Sequence, residues 1–224
     1  MLNTHPDLLI FRLGMVCEQL LGDSMSLLAA SVSDTKSTSV PIEELRDVRL
    51  SIDGDSEAYK RIIDRHQRHV SKIMYKFSRD RQTHAELVQD VFVEAYLGLK
   101  TYKAKAPLEH WLARIATRVG YSYWRQQEKN KKTETFSLED WDRIEQSADT
   151  PDDPAEAAEL LYKLFEKLSS RDRLVLTLRF LEQCSIEETA QRTGWSESMV
   201  KVQTHRAKNQ LQKLFRKVGK DLEL

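Results

Sequence analysis

Apolar residues recur at helical spacing along most of this chain. The sharpest pattern lies in Leu108–Arg125, where Leu108, Trp111, Leu112, Ile115, Ala116 and Val119 fall on one face and Arg114, Arg118, Tyr121 and Arg125 on another. Upstream, Asp55 or Ser56 is placed to cap a helix of about six turns. Its packing side is Ala58, Tyr59, Ile62, Ile63, His66, Val70, Ile73, Met74 and Phe77, and its other side carries Lys60, Arg61, Arg65, Arg68, Lys72 and Lys76. The helix after it is expected to bury Leu87, Val88, Val91, Phe92, Ala95, Tyr96 and Leu99, leaving Glu86, Gln89, Asp90, Val93 and Glu94 outward.

Further on, Leu160, Leu161, Leu164, Phe165 and Leu168 predict one helix, and Leu174, Val175, Leu178 and Leu181 a second with Ser170 as its cap. Ser185 with Glu188 forms a capping box, Gly194 suits a left-handed turn, and Ser196 can cap a last helix. That helix buries Val200, Ala207, Leu211, Leu214 and Phe215 and presents Glu197, Ser198, Lys201, Val202, His205 and Lys208. Helix, glycine-containing turn, helix is the spacing of a helix-turn-helix, although a helical hairpin in a bundle could carry the same caps. The expected fold is all-α: two small helical domains joined by an acidic flexible linker, the C-terminal one a helix-turn-helix. Seven glycines and five prolines in 224 residues fit a mostly helical chain.

Charge changes the picture. The formal net charge is zero, but residues 1–59 sum to −6, 60–132 to +10, 133–159 to −9 and 160–217 to +6. Two basic modules on an acidic tether suit two contacts with one polyanion. Tyr121, Tyr123 and Trp124, followed by Lys129, Lys131 and Lys132, interleave flat rings with cations, as unpaired nucleic acid requires; a merely solvated basic face is the alternative. Between helices, Thr101–Pro107 is a short loop with Lys103 and Lys105 among small residues, able to clamp a strand. The acidic face of Glu86, Asp90 and Glu94 would repel DNA, so it is expected to meet a basic protein or only solvent.

Cys17 and Cys184 form no metal or disulfide pattern, which fits a reducing cytoplasm. His66 and His69 lie three apart on one helix and are expected at the surface; no metal and no cofactor are predicted. The apolar run in residues 1–24, broken by Arg12 and Glu18, is too short for a membrane span and lacks the basic start of a secretion signal. It reads equally as a docking helix or as the product of a misassigned start, since Met25 opens a more ordinary polar leader. Residues 25–50, rich in Ser, Thr and Asp, read as a mobile lead-in.

Taken together, three stretches resemble the extracytoplasmic-function group of the bacterial sigma-70 family. Residues 86–96 resemble the group's core-binding helix, 102–126 its promoter-melting segment, and 185–211 its second DNA-reading module. The resemblance implies an N-terminal extension over 1–50, a region 2-like domain over 53–132, an acidic linker over 133–156 and a region 4-like domain over 157–217. It implies a sigma factor, not an enzyme, that binds core RNA polymerase through the β′ clamp and β, directs promoter recognition and melting, and works in the cytoplasm without membrane insertion. An anti-sigma factor is a further partner that it admits.

Glu86, Gln89, Asp90, Phe92, Val93 and Glu94 would dock on polymerase, Phe92 by packing. Tyr102, Lys103, Lys105, Arg114, Arg118, Tyr121, Ser122 and Arg125 would meet the minus-10 element, with Tyr102 to Leu108 forming the loop that captures a flipped base. Ser196, Glu197, Ser198, Lys201, Val202, His205 and Arg206 would read the minus-35 element. The chain departs from relatives at Gln203, where arginine is usual, at Thr204, where leucine is usual, and at Ala104, where the loop commonly has glycine. Two other classes stay open on the residues alone: a stand-alone helix-turn-helix regulator, and an enzyme using carboxylates such as Asp90 and Glu94 on Mg²⁺.

Overall fold

The computed structural model describes residues 40–133 and 161–221, all helices and turns. The N-terminal half holds α1 (Ile42–Ile52), α2 (Ser56–Tyr75), α3 (Arg81–Gly98), a 3-10 turn (Leu99–Thr101) and α4 (Leu108–Thr133). The C-terminal half holds a helical stretch over 161–166, then α5 (Ser170–Leu176), α6 (Ile186–Thr193) and α7 (Glu197–Asp221). The first apolar stretch of the chain and the acidic linker lie outside the described residues.

Local chemistry explains most boundaries. The Asp55 carboxylate accepts the Glu57 and Ala58 amides at the start of α2, and Asp80 accepts the Thr83 amide at the start of α3. Ser169, not Ser170, caps α5: its hydroxyl accepts the Asp172 amide, while Ser170 is already the first helical residue. After α5 the ladder widens into a π-turn over Thr177–Leu181, closed by a bond from the Arg179 guanidinium to the Cys184 carbonyl.

α1 corrects the expectation of a mobile lead-in to residue 50. Its inward positions are Glu44, Asp47, Val48 and Ser51, so the buried stripe is mostly polar and invisible to a search for apolar periodicity. Its stability comes from partners instead. Asp47 accepts from Arg61 Nε at 2.9 Å and from Arg65 Nη2 at 3.0 Å. Burial alone would raise the Asp47 pKa; the two guanidinium bonds outweigh it and hold the carboxyl below its usual range.

The packing face predicted for α2 is the observed one, and the main core runs from Ile62, Val70, Met74 and Phe77 through Val91 and Phe92 to Leu108, Leu112 and Ala116. His66 is not at the surface. It is 7% exposed and hydrogen-bonds Glu44 Oε1 through Nε2 at 2.9 Å. Tyr96, expected inside, is half exposed and meets Tyr59 edge-on, and Trp111 is only partly buried.

The same core extends into the C-terminal half, taking in Leu174, Leu178 and Cys184. Trp124 is central to this joint: its indole N–H donates to the Phe77 carbonyl at 2.9 Å, and the Arg173 guanidinium covers its ring at 4.1 Å. At the rim, Lys76 pairs with Glu182, the Ser170 amide donates to Glu128 at 3.1 Å, and Tyr121 meets Trp195 edge-on at 6.4 Å. A second core of Phe165, Leu168, Val175, Leu176, Val200 and Ala207 holds the C-terminal half together.

Candidate polymerase-docking and nucleic-acid interfaces

α3 buries Leu87, Val91, Phe92 and Ala95 and turns Glu86, Gln89, Asp90 and Val93 outward, with Glu94 partly exposed beside them. Phe92 departs from the predicted docking set: it is 6% exposed and belongs to the core, its carbonyl accepting from the Tyr59 hydroxyl at 2.5 Å. In its place the face gains Leu97, 76% exposed one turn beyond Val93. An exposed apolar pair ringed by carboxylates suits a partner with an apolar strip and basic flanks. The i, i+4 spacing of Val93 and Leu97 was the available signal for Leu97, which stood in neither predicted face of the helix.

On the adjoining surface, the loop after α3 is tightly built. The Tyr102 hydroxyl donates to the Ala106 carbonyl at 2.7 Å, and its ring lies 5.6 Å from Trp111. Burial, with the nearby Glu44 carboxylate, pushes the Tyr102 pKa up to about 12. Lys103 and Lys105 project outward on either side of Ala104, whose φ of +54° is left-handed. An L-residue with a Cβ is disfavoured there by about 1–2 kcal/mol, so Ala104→Gly should raise stability by about 1 kcal/mol in a thermal melt. An unchanged midpoint would show that the loop carries no such strain.

From α4, Arg114, Arg118, Ser122 and Arg125 are exposed and Tyr121 is half-buried, with the Arg125 guanidinium 5.9 Å from its ring. Arg114 pairs with no carboxylate among the described residues. Arg118 does: Nε and Nη2 reach Glu94 Oε2 at 3.2 and 2.5 Å, linking the acidic face to the basic one. Tyr102, Lys103, Lys105, Arg114, Arg118 and Tyr121 line one side of a cleft of about 680 Å³, and Gln191, Arg192 and Gly194 from around α6 line the other. Six of the eight minus-10 candidates thus line one cleft, with the C-terminal half facing them, while Ser122 and Arg125 are exposed outside that lining.

The helix-turn-helix has the predicted caps. Ser185 and Glu188 form a reciprocal capping box, Gly194 has φ +74°, and Ser196 Oγ accepts the Met199 amide at 3.2 Å. Ser196, Glu197, Ser198, Lys201, Val202, His205 and Arg206 are all exposed on α7 or at its start, while Val200 and Ala207 are fully buried. Gln203 has a different occupation. It is 8% exposed and donates from Nε2 to Asp172 Oδ1 at 2.5 Å, fastening α7 to α5 rather than facing a ligand. Among the described residues there is no group of three potential metal ligands, and no helix is long and apolar enough to cross a membrane.

An acidic docking face beside a basic, ring-bearing face, backed by a helix-turn-helix, defines a DNA-binding protein that works while held by another protein. The sequence profiles agree: Sigma-70 region 2 matches residues 62–130, and Sigma-70 region 4 matches residues 158–211. The RNA polymerase sigma factor YlaC of Bacillus subtilis is 30% identical over 161 residues, which cover 68% of this chain and 90% of that protein. The ECF RNA polymerase sigma factor SigX of the same organism is 26% identical, covering 70% and 83%. Among solved structures, that of CnrH in complex with the cytosolic domain of CnrY matches in fold, with TM-score 0.51, 21% identity, and coverage of 78% of this chain and 97% of that one. The chain belongs to the extracytoplasmic-function group of the sigma-70 family and is an RNA polymerase sigma factor.

Proposed function

We propose that this sigma factor docks on core polymerase through α3, with Glu86, Gln89, Asp90, Val93, Glu94 and Leu97 in contact, and opens the minus-10 element with the loop and outer face of α4. The observation that carries this is the adjacency of the two faces, joined at Glu94 and Arg118. Tyr102, Lys103, Lys105, Arg114, Arg118, Tyr121, Ser122 and Arg125 hold the non-template strand. Ser196, Glu197, Ser198, Lys201, Val202, His205 and Arg206 read the minus-35 element from α7 and its start. Residues 53–132 thus hold the docking and melting work, with α1 added to them, 133–156 tether, and 157–217 read duplex.

The protein catalyses nothing itself and acts in the cytoplasm. Energetics explain why a partner is needed: each base-pair step opened costs about 1.4 kcal/mol, and stacking a captured base returns about 1–3 kcal/mol, so a few captured bases offset only a few steps. Polymerase must supply the rest. A pull-down with purified core polymerase tests this assignment: the chain should be retained, and Asp90→Lys should reduce retention and transcription together. No retention, with promoter binding by the isolated chain intact, would favour a stand-alone regulator.

A further inference from the structure

The start of α4 lacks a cap of its own. Pro107 precedes it and has no side chain able to accept a hydrogen bond; its carbonyl accepts the His110 amide at 3.0 Å, which leaves the Leu108 amide dependent on an outside acceptor. The Leu108 amide finds one in Glu44, from the other end of this half: Oε2 accepts it at 3.2 Å inside the core. The same carboxylate meets His66 of α2 through Oε1 at 2.9 Å, and only 4% of the residue is exposed. Both oxygens are therefore committed, one to α2 and one to the first amide after the loop.

We propose that Glu44 is a positioning residue for promoter opening: from α1 it fixes the start of α4, and with it the pose of the Tyr102–Pro107 loop. This rests on the assignment of that loop to base capture. The loop is pinned at two points. The bond from Tyr102 to Ala106 closes it upon itself, and Glu44 ties its exit to the core. A carboxylate at the positive end of a helix is also favoured electrostatically, more so where water is excluded. Burial raises the Glu44 pKa, yet the bonds from His66 and Leu108 hold it below its ordinary value, so the anion is the form in place. α1 lies before the segment matched by the region 2 profile, which begins at residue 62. The ability to hold an opened strand therefore extends to a helix outside that match.

The test uses holoenzyme reconstituted from core polymerase and the full chain. The probe is a fluorescein-labelled single strand carrying the non-template minus-10 region of a promoter on which this holoenzyme initiates. Glu44→Ala, or Glu44→Asp if the alanine variant does not fold, should weaken capture about tenfold at unchanged polymerase affinity, the size expected for a lost bond to a charged group. Glu44→Gln keeps an oxygen for the Leu108 amide and should stay within about threefold of wild type. Val48→Ala trims the same helix's apolar contact and should capture normally below its melting temperature. Normal capture by Glu44→Ala or Glu44→Asp, or an equal loss in Val48→Ala, overturns the positioning role. Tyr102→Ala separates the levels: normal capture by that variant means the loop assignment itself is at fault.

Discussion

Arg114→Glu is expected to abolish open-complex formation while polymerase binding stays at the wild-type level. Arg114 projects from α4 into the cleft and pairs with no carboxylate among the described residues, so reversing its charge breaks no ion pair among them. Losing a charged contact and gaining repulsion against phosphate should cost about 3 kcal/mol, roughly a hundredfold in open complexes. Permanganate reactivity of unpaired thymines and run-off transcription would read the loss, with retention on core polymerase as the control. Equal loss of both would make Arg114 part of the docking surface. Arg118→Glu is less clean, because it sets two carboxylates against each other at Glu94 and so perturbs the docking face as well.

Gly120→Ala should be the most damaging single-methyl change in the N-terminal half. A Cβ at Gly120 would lie 2.3 Å from two ring atoms of Phe77 and 2.5 Å from a third. Phe77 cannot yield easily, since its ring packs on Trp124 at 4.4 Å and its carbonyl accepts the Trp124 indole. Alanine would gain about 1 kcal/mol in helix propensity, but displacing a buried phenylalanine costs about 3–5 kcal/mol, so a net loss of about 3 kcal/mol is expected. Chemical denaturation measures it. Combining it with Phe77→Leu should cost less than the sum of the two changes, because the smaller side chain makes room. Additive losses would mean that the close approach at Gly120 is relieved some other way.

The parts of this protein that bury hydrocarbon were legible in the sequence, because the helical period shows directly which positions face inward. α2 and α4 have the predicted faces, α7 buries Val200 and Ala207 while Leu211, Leu214 and Phe215 are only partly buried, and the caps at Asp55, Ser185, Gly194 and Ser196 follow from local hydrogen bonding. What stayed hidden depends on long-range polar pairing. Glu44 and Asp47 look like solvent-facing residues until Arg61, Arg65, His66 and Leu108 are brought to them by the fold. His66 stood on the predicted packing side yet was also read as a surface histidine, because its partner Glu44 could not be seen for the same reason. Gln203 differs again: its departure from the family pattern was visible, but its bond to Asp172 depends on how α7 crosses α5. Leu97 stood in neither predicted face of α3, although it lies one turn beyond Val93, and its 76% exposure comes from the fold.

The joint between the two halves gives ionic strength two opposite jobs. Its rim is held by charge: Lys76 with Glu182, Glu128 on the Ser170 amide, and Arg173 over Trp124. The cleft between the halves is lined by Arg114, Arg118, Lys103 and Lys105, the cations proposed to meet phosphate. Added salt is expected to loosen the rim and open the cleft, while the same ions screen the cleft's cations. Strand capture by the free chain should therefore pass through a maximum as salt rises, rather than falling steadily as a simple phosphate-binding surface would.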